Sequence, residues 1–259
     1  MKTVIVTGAA GYFGKYLVEE LSKTHNVVAT SRNIEKLNQM FTGPNVIKLE
    51  LDFYDTAKSE KNLSAFLKNN EVHALINNAY DFTPKTGFNT ADGRYETISI
   101  DAMRAGLDSG LLGPMLMSQL VGRQMIERQI KGSIINISSM YGLVAPDRRL
   151  YEGKTVYNPV TYGVAKAGLN GLTRYIASFW GEHGIRCNSI APGAFPNEET
   201  QSDNATTDVE FKKRLENKST LGRTGHPKDL FGLVDLLLSE KSSYITGQVL
   251  SVDGGWTAI

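Results

Sequence analysis

Short apolar runs alternate along this chain with stretches whose apolar positions recur every three or four residues. Lys2–Thr7 is an apolar run and predicts a first strand. Tyr12–Lys23 follows, with Phe13, Tyr16, Leu17 and Leu21 at helical spacing. Asn26–Ser31 and Val46–Leu51 predict the second and third strands, Asp55–Asn69 a helix, and His73–Asn77 a fourth strand. A long helix is predicted over 101–129, a fifth strand at Gly132–Ser138 and a second long helix at Pro159–His183. Ile185–Ile190 and Gly247–Val252 complete the set as sixth and seventh strands. Strands that alternate with helices build parallel β-α-β units with right-handed crossovers. The pattern therefore predicts a single α/β domain over 1–259, a doubly wound sheet of about seven parallel strands with helices on both faces.

Two segments stand outside this alternation. Asp81–Gly93 is polar and turn-rich, and Pro196–Thr207 is a run of Asn, Glu, Thr, Ser and Asp. Both follow predicted strands, on the edge of a parallel sheet where ligands bind. They read as plain surface loops or, for the second, as a substrate-covering loop within 196–220.

Composition narrows the function classes. An apolar share of 41% and a charged share of 21% over 259 residues suit one globular domain. The net charge of +1 gives no field that draws nucleic acid or an anionic membrane. No signal-like or membrane-spanning apolar run is present, so the expected compartment is the cytoplasm. The single cysteine, Cys187, excludes an internal disulfide and reads as a buried small hydrophobe. His25, His73, His183 and His226 lack metal-ligand spacing, so no metal is expected. Met115, Met117 and Met125 read as helix packing, and Trp180 and Trp256 as packing or subunit contacts.

The candidate chemistry begins after the first strand, with Thr7-Gly8-Ala9-Ala10-Gly11-Tyr12-Phe13-Gly14. Gly8 permits the tight turn, Gly11 lets backbone approach a pyrophosphate, and Gly14 lets the helix pack closely on the strand. The N-terminal N–H groups and dipole of that helix attract phosphate. This glycine trio in a strand–turn–helix context marks a Rossmann-type dinucleotide site, with Tyr12 and Phe13 in its loop. The acidic residue that would hold both ribose hydroxyls of NAD is missing from the end of the second strand, which reads Ala29-Thr30-Ser31-Arg32-Asn33. Arg32 can bond a 2′-phosphate through two N–H groups, and Ser31 can add another bond. NADP is thus the expected cofactor, with NAD the alternative if Arg32 merely caps a helix or faces solvent. Asp52 follows the third strand and could accept from an adenine amino group. Asn77, Asn78 and Ala79 follow the fourth and could face ribose. Both sets could equally serve their own loops.

Tyr162 and Lys166 lie four apart, early in a predicted helix, and so share a face. A free phenol titrates near ~10, and a nearby ammonium lowers that value toward useful acid/base chemistry. The fifth strand ends in Asn136-Ile137-Ser138-Ser139, whose hydroxyls could bond a substrate oxygen at the sheet's carboxyl edge or satisfy their own turn.

In this order and spacing TGAAGYFG at 7–14, LDFYD at 51–55, NNA at 77–79, NISS at 136–139, YGVAK at 162–166, RCNSIAPG at 186–193 and TGQVLSVDGG at 246–255 resemble the short-chain dehydrogenase/reductase family along nearly the whole chain. The resemblance implies that Tyr162 gives or takes the proton. It implies that Lys166 binds the nicotinamide ribose and lowers the tyrosine pKa, and that Ser139 orients the substrate oxygen. Pro192 and Gly193 would flank the nicotinamide. A homotetramer or homodimer is also implied, through the long helices 101–129 and 159–183.

Four departures from the family pattern matter. The glycine spacing resembles the epimerase and dehydratase branch, Tyr80 replaces a usual glycine, and Gly110 stands where a relay asparagine is expected. The fourth is an insertion, Met140–Thr161, which resembles reductases of bacterial surface-sugar and flagellin-glycan pathways. Its Arg148, Arg149 and Lys154 could meet a phosphorylated sugar, or form a solvated basic loop. The resulting expectation is hydride transfer between NADP(H) and a small carbonyl/alcohol substrate, with a sugar or phosphorylated sugar among the candidates. The rivals are a nucleotide-sugar epimerase or dehydratase that retains its cofactor, and a non-catalytic dinucleotide sensor.

Overall fold

A computed structural model describes residues 1–197 and 208–259. Seven strands form one parallel sheet: β1 (Thr3–Val6), β2 (Asn26–Ser31), β3 (Val46–Glu50), β4 (Ala74–Asn77), β5 (Ser133–Ile137), β6 (Arg186–Pro192) and β7 (Val249–Val252). Their order is β3-β2-β1-β4-β5-β6-β7, and every neighbouring pair is parallel. The strand order reverses between β1 and β4, which opens a crevice at the carboxyl edge of the sheet.

Side chains of period two feed two separate cores. Val4, Val6, Val27, Ala29, Ile76 and Ile135 pack on one face, against Leu17, Val18 and Leu21 of α1 (Tyr12–Leu21) and Leu230, Val234 and Leu237 of α8 (Pro227–Leu238). Ile5, Val28, Leu75 and Ile134 pack on the other, against α3 (Thr56–Asn69), α5 (Gly113–Glu127) and α6 (Val160–Trp180). Cys187 lies within this second core, fully buried, with its thiol pushed up to about 12 by burial.

The predicted strands, the helices predicted at Tyr12–Lys23 and Asp55–Asn69, and the long helix predicted at Pro159–His183 are present, with ends shifted by a few residues. Three further helices were not expected: α2 (Ile34–Met40), α7 (Val209–Lys218) and α8. The long helix predicted over 101–129 is two helices, α4 (Ile100–Leu107) and α5, joined by a π turn at Asp108–Leu112 that contains Gly110. Met117 and Met125 are buried in the core as expected, whereas Met115 is 42% exposed. Trp180 packs over Gly122, and Trp256 is buried in a third cluster with Met140, Tyr141, Leu150, Phe211 and Leu215. That cluster fastens the 140–161 insertion to α7. Among the described residues no helix is long and apolar enough to cross a membrane. Most of the polar run Pro196–Thr207 lies outside the described residues.

Candidate active site

A cavity of about 690 Å³ runs along the carboxyl edge of the sheet. Its wall is built from the segments that leave β1 to β6. Gly8, Gly11, Tyr12, Phe13, Ser31, Arg32, Asp52, Asn78, Ala79, Ser139, Tyr162, Lys166, Pro192 and Gly193 all line it. Asn77 and Gly14 do not; a side chain at Gly14 would come within 2.2 Å of the Gly8 carbonyl oxygen, so its role is the close packing of helix on loop.

The first loop fits a pyrophosphate. Gly8 has φ +65°, and a Cβ on it would sit 2.7 Å from Ala79 Cα. Gly11 would meet only the Gly8 carbonyl oxygen, at 3.3 Å, and it borders the cavity. Helix α1 starts there with no side-chain cap. An uncapped helix start beside a bare glycine backbone can receive a phosphate.

The amides after β4 serve mainly the protein itself. Asn78 Nδ2 donates to the Thr7 carbonyl at 2.9 Å, and Thr7 Oγ1 accepts from the backbone N–H groups of Asn78 and Ala79. Asn77 is buried and donates to Ser118 Oγ (3.0 Å) and Asn136 Oδ1 (2.8 Å). Asn136 in turn donates to Thr173 Oγ1 at 2.8 Å. This network ties β4 and β5 to α5 and α6 and so holds the strand ends that carry the site. Asp52 Oδ1 accepts from the Tyr54 backbone N–H at 3.0 Å.

Arg32 neither caps a helix nor simply faces water. It donates to Asp81 Oδ2 at 2.9 Å, and Tyr54 Oη donates to the same oxygen at 2.8 Å. Burial pushes the Asp81 carboxyl up, but the bonds from Tyr54, Arg32 and Thr83 outweigh it and hold the group below its ordinary value. Lys85 Nζ sits 3.2 Å from the centroid of the Tyr54 ring. The end of β2 therefore faces the Asp81 carboxylate, which Arg32 and Tyr54 share. Asp81, Tyr54 and Lys85 lack any local sequence signal, since Asp81 meets Arg32 from 49 residues away.

Tyr162 and Lys166 meet on the first turns of α6, opposite the end of β5. Lys166 is 2% exposed, and its Nζ donates to the Ile137 carbonyl at 2.7 Å. Burial brings its ammonium down to about 7. Nζ lies 5.6 Å from the Tyr162 ring centroid. Tyr162 itself is pushed up to about 12 by burial, while a bond from Ser139 pulls the other way. The lowered phenol expected from the sequence is thus absent from the protein alone, because desolvation of the phenolate exceeds the help from its neighbours. Ser138 differs from Ser139: its hydroxyl donates to the Lys166 carbonyl at 3.0 Å and anchors α6.

Tyr80 and Gly110, two departures from the pattern, form one contact. A Cβ on Gly110 would lie 2.6 Å from Tyr80 Cε2, so the tyrosine ring fills the space that a larger residue would need. That ring is 4.9 Å from the Tyr162 ring and perpendicular to it. Phe82 and Phe88 add two more rings around Tyr162, at 5.8 and 5.4 Å. The turn-rich segment after β4 thus carries an aromatic group that its lack of periodicity concealed.

The insertion brings Tyr151, Val156, Tyr157 and Asn158 to the cavity wall, but not its basic residues. Arg149 pairs with Asp147 at 2.8 Å, Lys154 pairs with Asp208, and Arg148 is exposed. The phosphate-meeting role expected for these three finds no support in where they lie.

Comparison with known proteins bears on the same residues. The family described as enoyl-(acyl carrier protein) reductase matches residues 21–257. The 7alpha-hydroxysteroid dehydrogenase of Bacteroides fragilis is 30% identical, over 99% of this chain and 94% of its own. A short-chain dehydrogenase structure from Leptospira borgpetersenii with bound NAD+ is similar at 30% identity and TM-score 0.81, covering 99% of this chain and 92% of that one. A gluconate 5-dehydrogenase structure from Burkholderia cenocepacia in complex with NADP and tartrate is similar at 26% identity and TM-score 0.81, covering 100% and 96%.

Proposed function

The chain belongs to the short-chain dehydrogenase/reductase family of nicotinamide-dependent oxidoreductases, and from that premise we propose that it interconverts a carbonyl and an alcohol on a small molecule with NADP(H). The observation that carries the reading is the convergence of Ser139, Tyr162 and Lys166 on one cavity that also contains the glycine loop. When bound, the dinucleotide supplies the hydride in reduction and accepts it in oxidation. Gly8, Gly11, Tyr12 and Phe13 would hold its pyrophosphate, Asp52 its adenine, and Lys166 its nicotinamide ribose.

In reduction the substrate oxygen rests against Ser139 Oγ and Tyr162 Oη. Tyr162 gives its proton to that oxygen as hydride reaches the carbon, so the carbonyl becomes an alcohol and the tyrosine a phenolate. Lys166, charged and close, stabilises the phenolate as it forms. A phenol that stays protonated at neutral pH suits this direction.

The NADP preference rests on Arg32. A guanidinium has five donors, and only one is given to Asp81. The rest remain for a 2′-phosphate. Arg32→Ala should weaken NADPH binding roughly 10- to 100-fold, the worth of charge-assisted hydrogen bonds, and leave NADH nearly unaffected. A fluorescence titration with each dinucleotide tests this. Tighter NADH binding by the unaltered protein would remove the NADP preference, and binding of neither would remove the oxidoreductase mechanism. An enzyme that retains its cofactor and shows no net NADPH consumption would favour the epimerase reading.

A homotetramer or homodimer through α4, α5 and α6 completes the proposal. Leu112, Met115, Val164, Tyr175 and Phe179 leave large apolar surfaces exposed on this set. Gel filtration should give a mass above that of one chain, and a monomer would remove the claim.

A further inference from the structure

We infer that the substrate is an uncharged ring-bearing ketone, or the matching secondary alcohol, and not a sugar phosphate or sugar acid. The inference rests on the oxidoreductase reading above and concerns the part of the cavity beyond Tyr162. That part is walled by Phe82 and Phe88 from the loop after β4, Tyr151 and Val156 from the insertion, and Phe211 and Leu215 from α7, with Asn89, Tyr157 and Asn158 as uncharged polar members. Phe82 and Phe88 meet each other edge-on at 5.0 Å, and both approach the Tyr162 ring. Tyr151 packs on Phe211 at 5.6 Å. Three chain segments far apart in sequence thus line the cavity that holds Tyr162 with rings.

Charge is distributed in the opposite sense. Among the described residues that line the cavity, the charged ones are Arg32, Asp52, Asp81 and Lys166. The first three follow β2, β3 and β4, on the dinucleotide side, and Lys166 is held at the floor by the Ile137 carbonyl. Arg149 and Lys154 are paired with acids, and Arg94 donates to Tyr157 Oη at 2.8 Å without reaching the cavity wall.

A phosphate or carboxylate entering this wall would lose its water and gain no cation, which is costly. A ring ketone loses only the water on its carbonyl oxygen, which Ser139 and Tyr162 replace, and its ring edges pack on the aromatic faces. Hydride adds to the carbonyl carbon and the Tyr162 proton to its oxygen, and the phenolate then takes a proton from water, so NADPH, ketone and one proton become NADP+ and secondary alcohol.

The test is a comparison of kcat/KM with NADPH for 2-tetralone and 2-decalone against fructose 6-phosphate and 5-ketogluconate. The ring ketones should exceed the sugar derivatives by about 100-fold or more, the scale set by unpaired buried polar groups. Phe82→Ala, at a half-exposed position, should raise KM for 2-tetralone about tenfold while the NADPH dissociation constant stays unchanged. Faster turnover of a phosphorylated or carboxylated sugar overturns the inference and leaves the oxidoreductase reading standing. The inference also fails if NADPH binds but no ring ketone is reduced, or if Phe82→Ala leaves KM unaltered. Failure to bind either dinucleotide would instead overturn the reading beneath it.

Discussion

Tyr162→Phe is expected to cut turnover by about a thousandfold or more, within the range that a positioned acid or base contributes, and to leave NADPH binding unchanged. The ring of Tyr162 is held by Tyr80, Phe82 and Phe88, and a phenyl group keeps those contacts. Only the hydroxyl, and with it the transferable proton, is lost. Because burial pushes the phenol up to about 12, the group enters reduction protonated across the neutral range. Oxidation requires the phenolate, so the unaltered enzyme should oxidise alcohols faster as pH rises, whereas the variant should lack that dependence. Steady-state kinetics in both directions, beside a fluorescence titration of NADPH, measure the split. A variant that retains most of its turnover would show that Tyr162 is not the proton donor.

Much of the frame was legible because its signals are local. Each strand is an apolar run of few residues, and the glycine loop joins the first strand to the first helix, so both survive without tertiary information. Tyr162 and Lys166 were legible for the same reason: one helical turn brings them together. Helix α2 was missed because it buries a single residue, Leu37, and so shows no apolar stripe. Helix α7 buries only Phe211 and Leu215, in a segment rich in charge. Helix α8 did carry a signal, a proline at its start and a His226–Asp229 capping box, although His226 is an unusual cap. The remaining omissions are long-range. Asp81 reaches Arg32 only because β4 lies two strands from β2, with β1 between them. Tyr80 and Gly110 looked like two separate losses from a family pattern, yet in space the ring of one fills the space beside the other. Pairings of this kind have no period and no fixed spacing, so a single sequence does not display them.

Lys166→Met should abolish turnover and, in the same protein, raise the stability of the cofactor-free chain at pH 6. The lysine is 2% exposed and its ammonium is brought by burial from 10.5 down to about 7. Below pH 7 the folded and unfolded chains both carry the proton, so folding takes a charge out of water and the full penalty applies. Between about 7 and 10.5 the unfolded chain keeps the proton that the folded chain has shed. The unfolded state then binds more protons, and the stability of the unaltered protein rises with pH across that window. Above it both forms are neutral and the penalty is gone. Against that cost stands the loss of the bond to the Ile137 carbonyl, about 1–3 kcal/mol for a buried group left without its partner. The balance should favour methionine at pH 6, read as a higher Tm. Thermal melts of the cofactor-free proteins at pH 6 and pH 9 should show the gap narrowing as pH rises. A variant that melts lower than the unaltered protein at pH 6, or a gap that ignores pH, would mean that the fold does not hold Lys166 at a cost. The cost has a use: it keeps the Lys166 charge beside the Tyr162 ring, where it stabilises the phenolate formed as the proton is given.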